Sequence, residues 1–309
     1  MASVVGMLCA RMRVEEKQVL QALAEAGVPA RLLPPADAPL PIGPVPPKPS
    51  VAQNGAMGGE TPARVIVDRC QNRSVAASVL PLRRMSGDMV LDAGLAATGT
   101  RAVIAAALAG AGVPRPATML ITSETAGMAA IEACGFPATY LPLTPGAAGI
   151  VLLDRDTAEA VFEHRETLGG TGATIGILQT GSNVGSRRVS IVVVDGRAVA
   201  IDDPSGQAHH VSRFIRIGEL AAHVLGASIV GIDLIETPDG PVVWDVNPVP
   251  GFRDATPLGT ASVAEAIADL AASYVLSRAT IVTQLALEDD VVLEPRLGRE
   301  VTNGVALSA

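Results

Sequence analysis

GIDLIETPDGPVVWDVNPVPGF, residues 231 to 252, decides how the rest of the chain is read. Ile229 to Glu236 and Val242 to Asn247 are rich in β-branched and apolar residues, and Pro238-Asp239-Gly240 between them is turn chemistry, which predicts a β-hairpin. Side chains alternate faces along a strand, so Asp245 and Asn247 share a face, and a turn centred on Asp239 sets Asp233 opposite Asp245. Like charges directly opposite destabilise a sheet, and a carboxylate among Ile, Val and Trp loses hydration that something positive must replace. Mg²⁺ meets that need: it takes oxygen ligands, keeps waters, and is usually held by one or two carboxylates plus the phosphates of a bound nucleotide. Mn²⁺ suits the same oxygen ligands. Two solvated strand-end aspartates, with an asparagine that only opens the turn before Pro248, are the plainer alternative.

With 309 residues the chain can bury a sizeable core and divide into two or three domains. Hydrophobic residues make up 49% but aromatics only 2%, so that core is built from Ala, Val, Leu and Ile. A net charge of −8 offers no clustered cations for nucleic acid or anionic lipid, so neither partner is implied. The most apolar stretch, Ala102 to Val113, is too short to span a bilayer, and the N-terminus has no leader pattern; a cytoplasmic location is expected. Cys9, Cys70 and Cys134 form no C-x-x-C and read as buried small hydrophobes. Lysine occurs only at 17 and 48, so every later cation must be arginine.

In chain order, Ser3 to Cys9, Val14 to Ala26 and Ala30 to Leu33 predict a βαβ opening. Residues 34 to 63 are rich in Pro, Gly and Ala and predict a mobile loop. Arg64 to Asp68, Ser74 to Met85 and Met89 to Leu91 complete a small parallel sheet flanked by helices. Thr100 to Ala111 reads as a helix, Gly112 as its cap, and a boundary falls between 92 and 115. Strands at 118–122, 136–143 and 149–153, with helices at 124–134 and 156–168, make an α+β unit. The pattern then turns sheet-rich: 175–179, and a hairpin of 189–194 and 197–201 around Asp195-Gly196. A helix at 213–226, the acidic hairpin and a helix at 263–278 follow, and the tail from Ala279 reads as short strand-like runs broken by charge.

This order of elements resembles the ATP-grasp superfamily, in particular its RimK/LysX-type amino-acid ligases. The likeness covers roughly residues 3 to 278 and includes ARMRVEEK (10–17), DRCQNRS (68–74), AGAGVPRPAT (109–118), EHRETLGG (163–170), DGRAVA (195–200) and the hairpin. It implies an α/β protein with an ATP-grasp fold: a pre-ATP-grasp domain at 1–92, a small and linking subdomain at 93–180, a C-terminal subdomain at 181–278 carrying the metal hairpin, and an extension at 279–309. It also implies ATP and Mg²⁺ as cofactors, and the joining of a carboxylate to the amine of an amino acid, foremost glutamate, through an acyl phosphate. The carboxylate belongs to a small molecule or a carrier; related lineages modify carrier proteins, ribosomal protein tails, or pterin and related cofactors. Asp233, Asp245 and Asn247 correspond to the metal ligands, although the family usually has Glu at Asp245. Arg101 corresponds to a phosphate-contacting lysine, and Gln179 ends the strand that borders the nucleotide.

Several positions depart from the family. Leu141 replaces a lysine that touches the nucleotide, Thr180 replaces a glutamate, TPGAAGI (144–150) lacks the usual Gly-Ser pairing, and the segment after DGRAVA is shortened to IDDPSGQAHHVSR. Arg101 therefore serves either as a phosphate contact or as a solvated helix residue. Arg187 and Arg188 read as an exposed strand start before they read as phosphate ligands. His209-His210 does not converge easily on one ion, and Gly169-Gly170-Thr171-Gly172 lacks the following Lys of a phosphate loop. Arg11, Arg13, Arg69 and Arg73 sit just past two strand ends, where open α/β sheets bind ligands, and suit an acidic substrate. Two rival readings stand beside the ligase: a degenerate subunit without turnover, and a structural partner whose Ala-rich surfaces form a homo-oligomer.

Overall fold

The computed structural model describes residues 4–35, 63–169, 172–181, 186–206 and 211–289. Most of the 34–63 stretch, Gly170-Thr171 and His209-His210 lie outside the described residues. β1 (Val4–Leu8), α1 (Val14–Glu25) and β2 (Ala30–Leu33) form the βαβ opening, with Gly27 at φ +69° just past the helix end. β3 (Ala63–Asp68), α2 (Arg73–Met85) and β4 (Met89–Leu91) complete a parallel sheet of order β2-β1-β3-β4. Leu8 pairs with Asp68, so the loop that carries Arg11 and Arg13 and the one that carries Arg69 and leads into α2 at Arg73 leave the sheet side by side.

After α3 (Leu95–Thr98) and α4 (Arg101–Gly110) comes a second, antiparallel sheet. It is built from β5 (Thr118–Ile121), β6 (Ala138–Pro142), β7 (Ile150–Leu152) and β8 (Gly176–Thr180), in the order β5-β8-β6-β7. α5 (Glu124–Cys134) and α6 (Arg155–Leu168) cover one face, where Ile121, Tyr140 and Leu178 pack with Ile131 and Phe162. Paired residues share a face, so Thr118, Thr139 and Gln179 line the other, with Leu141 one step along. α3 was not foreseen; four residues are too few to show a period.

The third sheet holds β9 (Arg188–Val194), β10 (Arg197–Asp202), β11 (Ile229–Thr237), β12 (Gly240–Asn247) and the two-residue β13 (Thr256–Pro257), ordered β12-β11-β9-β10-β13. Asp195 at φ 50° and Gly196 at φ 73° make the two-residue turn between β9 and β10. Alternation along β9 divides the core: Ile191 and Val193 pack with Phe214 and Ala221 of α7 (Val211–Leu225). Val192 and Val194 pack with Ile267 and Ala271 of α8 (Val263–Asp289), in a cluster that also takes Val5, Met7 and Leu23. The first sheet and the hairpin sheet thus share apolar cores. The strand-like reading of the tail is corrected as far as Asp289. Thr280 to Thr283 is β-branched, but with no partner strand among the described residues it continues the helix that residues 263–275 anchor. Among the described residues no helix is long and apolar enough to cross a membrane.

Candidate active site

Asp233 does face Asp245 across β11 and β12, by a route the sequence reading missed. The turn is the two residues Pro238-Asp239, which pair Thr237 with Gly240; continued without a break, that register would set Asp233 against Trp244. An irregularity between Asp233 and Leu234 absorbs the extra residue and turns Asp245 toward the site. Asn247 pairs with Gly231, and a Cβ on Gly231 would stand 2.9 Å from Cβ of Pro250 and 3.3 Å from Cβ of Asn247. Glycine there lets the Asn247–Pro250 turn close over β11, and the Asn247 side-chain oxygen accepts from the Val249 amide at 3.0 Å.

Each carboxylate has its own arginine. Arg101 donates from Nε at 3.0 Å and Nη2 at 2.6 Å to the two oxygens of Asp245. Its remaining donors go to the carbonyls of Pro142 at 2.8 Å and Ala147 at 2.7 Å, and the side chain is only 3% exposed. The solvated reading of Arg101 is thereby set aside. Arg188, 53% exposed, donates to Asp233 at 3.0 Å, and the Ser190 hydroxyl donates to the other oxygen. Arg187 is not the exposed strand start expected. Its side chain is buried, bonded to Asp203 at 2.5 Å and lying over the Phe214 ring. Two facing carboxylates and an amide oxygen are an all-oxygen donor set that fits Mg²⁺ completed by phosphates and water. No cluster of three or more His, Cys, Asp or Glu able to hold a metal occurs among the described residues.

Beside the hairpin lies a cavity of about 740 Å³, with Arg11, Arg13, Arg188, Arg253, Asp233 and Asn247 in its walls. Arg11 is exposed there and makes no hydrogen bond or ion pair among the described residues. Arg13 is fixed by Glu16, at 2.7 and 3.0 Å. Burial pushes the Glu16 carboxyl up, but hydrogen bonds from Arg13 and the charge of Arg69 outweigh it and hold the group below its usual range. Fully buried Arg69 donates to Glu16 at 3.0 Å and to the Pro250 carbonyl at 3.0 Å, and lies over the Phe252 ring. It ties the first sheet to the turn that follows Asn247. Arg73 turns inward, to Asp68 at 2.9 Å and to the carbonyls of Cys70 and Ala97, both at 2.6 Å.

On the other side of the hairpin, buried Gln179 donates to the Trp244 carbonyl at 3.2 Å and accepts from Arg115 at 3.1 Å. The Val243 amide donates to the Pro114 carbonyl at 2.8 Å. The free face of the second sheet therefore looks onto β12, with apolar Leu141 buried in it. Arg115 escaped the sequence reading because one arginine between two prolines has no pattern around it.

A parallel α/β domain followed by two α+β units, whose sheets meet at an acidic hairpin, is the ATP-grasp architecture, and this chain has that fold. Within it, the likeness runs to the RimK/LysX-type amino-acid ligases. The RimK domain protein ATP-grasp from Sphaerobacter thermophilus superposes with a TM-score of 0.68 at 26% identity, over 86% of this chain and 98% of that one. D-cycloserine synthetase DcsG gives 0.64 at 17% identity, over 88% and 100%. The ATP-grasp ligase PsnB, in complex with a minimal precursor, Mg and ADP, gives 0.60 at 16%, over 89% and 99%. In sequence, the chain is 27% identical over 161 residues to the glutamate--LysW ligase ArgX of Sulfolobus acidocaldarius; the match covers 46% of this chain and 57% of that protein, little more than half its length. No family model matches.

Proposed function

We propose that the chain is an ATP-dependent carboxylate–amine ligase. It would add an amino acid, glutamate being the first to test, to a carboxylate on a small molecule or carrier, through an acyl phosphate. The observation that carries this reading is the rung that sets Asp233 opposite Asp245, with Asn247 two residues on, at the wall of an arginine-lined cavity. Asp233, Asp245 and Asn247 would hold Mg²⁺ or Mn²⁺, which when bound neutralises charge on the phosphates. Arg101, next to Asp245 and the loop after β6, would turn to phosphate, and Gln179 would border the nucleotide. Arg11 and Arg13 would receive substrate carboxylates, because a guanidinium matches a carboxylate with two parallel hydrogen bonds. Arg73, expected to bind substrate beside them, is held instead by Asp68 and two backbone carbonyls. Ligation of this kind demands positioning and charge neutralisation more than covalent chemistry from the protein.

A second reading, a degenerate subunit without turnover, is favoured by Leu141, by Thr180 and by the arginines already on both carboxylates. Calorimetry with Mg·ATP on the wild type and on Asp233→Asn/Asp245→Asn separates the two. The ligase reading expects micromolar binding, about −8 kcal/mol, lost in the double variant. No heat from either protein would leave the degenerate subunit.

A further inference from the structure

Away from the hairpin, a second cavity of about 790 Å³ lies beside α6 and the edge strand β7, with Ile150, Ala160, Val161, Leu168, His164 and Arg165 in its wall. The wall residues of α6 recur every three or four positions and so form one stripe, while Ala158 and Phe162 next to it are buried against the second sheet. Most of this wall is aliphatic, and Leu168 is 73% exposed, so apolar surface is left facing water. No carboxylate stands in the wall, although the chain carries a net charge of −8. Two acids of α6 are used elsewhere: Glu159 pairs with Arg155 at 2.9 Å, and Glu166 accepts from the Glu124 amide at 2.7 Å.

The basic groups of this wall have no acid of their own. Arg165 lies over the Tyr140 ring, 4.6 Å from its centre, donates to the Ala173 carbonyl at 3.3 Å, and makes no ion pair among the described residues. His164 is exposed and makes none there either. A guanidinium has more donors than one carbonyl takes up, and it grips a carboxylate with two parallel hydrogen bonds. An apolar body along Ile150, Val161 and Leu168 would displace water from their surface. A mainly apolar cavity of several hundred Å³ with a few convergent polar groups is the usual form of a small-molecule site. We infer that this cavity is a second ligand site, one that takes a small carboxylate with an aliphatic body and holds its charge at Arg165, with His164 beside it. It shares no wall residue with the cavity at the hairpin, so the inference stands whether or not the chain turns over ATP.

Octanoate is the probe and 1-octanol the same body without the charge. Calorimetry reads both affinities in wild type, Arg165→Gln, Ala160→Trp and Arg11→Gln. Loss of the charge-assisted hydrogen bonds makes octanoate bind about tenfold more weakly or worse in Arg165→Gln, while 1-octanol stays within about twofold of wild type. Ala160→Trp fills the cavity and abolishes binding of both probes. Arg11→Gln, in the other cavity, changes neither. No detectable octanoate binding to the wild type overturns the inference. So does an octanoate affinity in Arg165→Gln equal to wild type, the result expected if Arg165 only braces Ala173 and the last turn of α6. A loss confined to Arg11→Gln places the carboxylate at the hairpin and overturns it as well. If the thermal midpoint shows that Arg165→Gln does not fold, undiminished octanoate binding in Ala160→Trp decides against the site by itself.

Discussion

Asp233 and Asp245 stand on one rung of one hairpin, and each carries an arginine, yet the two pairs are built differently. Arg101 reaches Asp245 from 144 residues away and closes both carboxylate oxygens and two carbonyls into one cross-link between α4, the loop after β6 and β12. Arg188 comes from the adjacent strand, with a single nitrogen on Asp233 and about half of its side chain exposed. The first arginine is part of the framework that aligns the two sheets, a cross-link that would have to open for Arg101 to turn to phosphate. The second occupies, in an exchangeable way, a carboxylate that a ligand cation can claim. Breaking a buried pair leaves an uncompensated charge, whereas an exposed pair is screened and contributes little.

The largest effect expected from this contrast is in stability. Arg101→Ala should lower the unfolding free energy by about 3–5 kcal/mol, the cost of stranding one member of a buried pair. Urea titration of Arg101→Ala beside Arg188→Ala measures both sides at once. Equal losses would break the distinction between a framework pair and an exchangeable one.

Much of this site can be read from sequence, and the unread part has a physical cause. Residues 229–247 announce a hairpin because β-branched runs flank a Pro-Asp-Gly turn, and period-two alternation puts Asp245 and Asn247 together. The irregularity beside Asp233 leaves no local signal, so the pairing was reached with the turn misplaced by half a residue. Arg101 could be singled out from the resemblance to the RimK/LysX-type ligases, but not its bond to Asp245, since that depends on how α4 docks on a distant sheet. Arg187 misled for the same reason: only the folded chain brings Asp203 and Phe214 to it. Local propensity is legible, and long-range charge pairing is not.

Glu16 sharpens the contrast from the cavity side. It is a buried carboxylate held by two arginines, and it connects Arg13 at the cavity wall to Arg69 under the Pro250 turn. Its folded value lies below the ordinary 4.5, so as the pH falls the unfolded chain takes up this proton first. The stability it contributes is therefore complete above that ordinary value and is lost as pH falls through the folded one. Thermal midpoints of wild type and Glu16→Gln should converge on acidification. A gap of constant width between pH 7 and pH 3 would mean that Glu16 acts through packing alone.

The smallest expected effect is the most informative about the metal. Arg188→Ala removes a pair worth at most about 1 kcal/mol, so unfolding should barely change. If Arg188 occupies Asp233 in competition with a cation, its removal should tighten Mn²⁺ binding about two- to fivefold, the factor that such a competing pair gives. Manganese electron paramagnetic resonance reads the free ion directly and needs neither substrate nor turnover. Weaker Mn²⁺ binding in Arg188→Ala would show that the arginine holds Asp233 in place for the ion, and Arg188 would then join Arg101 as framework. Tighter binding leaves Arg188 free, once the ion is seated, to swing into the cavity beside Arg11. There its charge would be placed to meet the acidic substrate proposed above, in the same step that fills the proposed metal site.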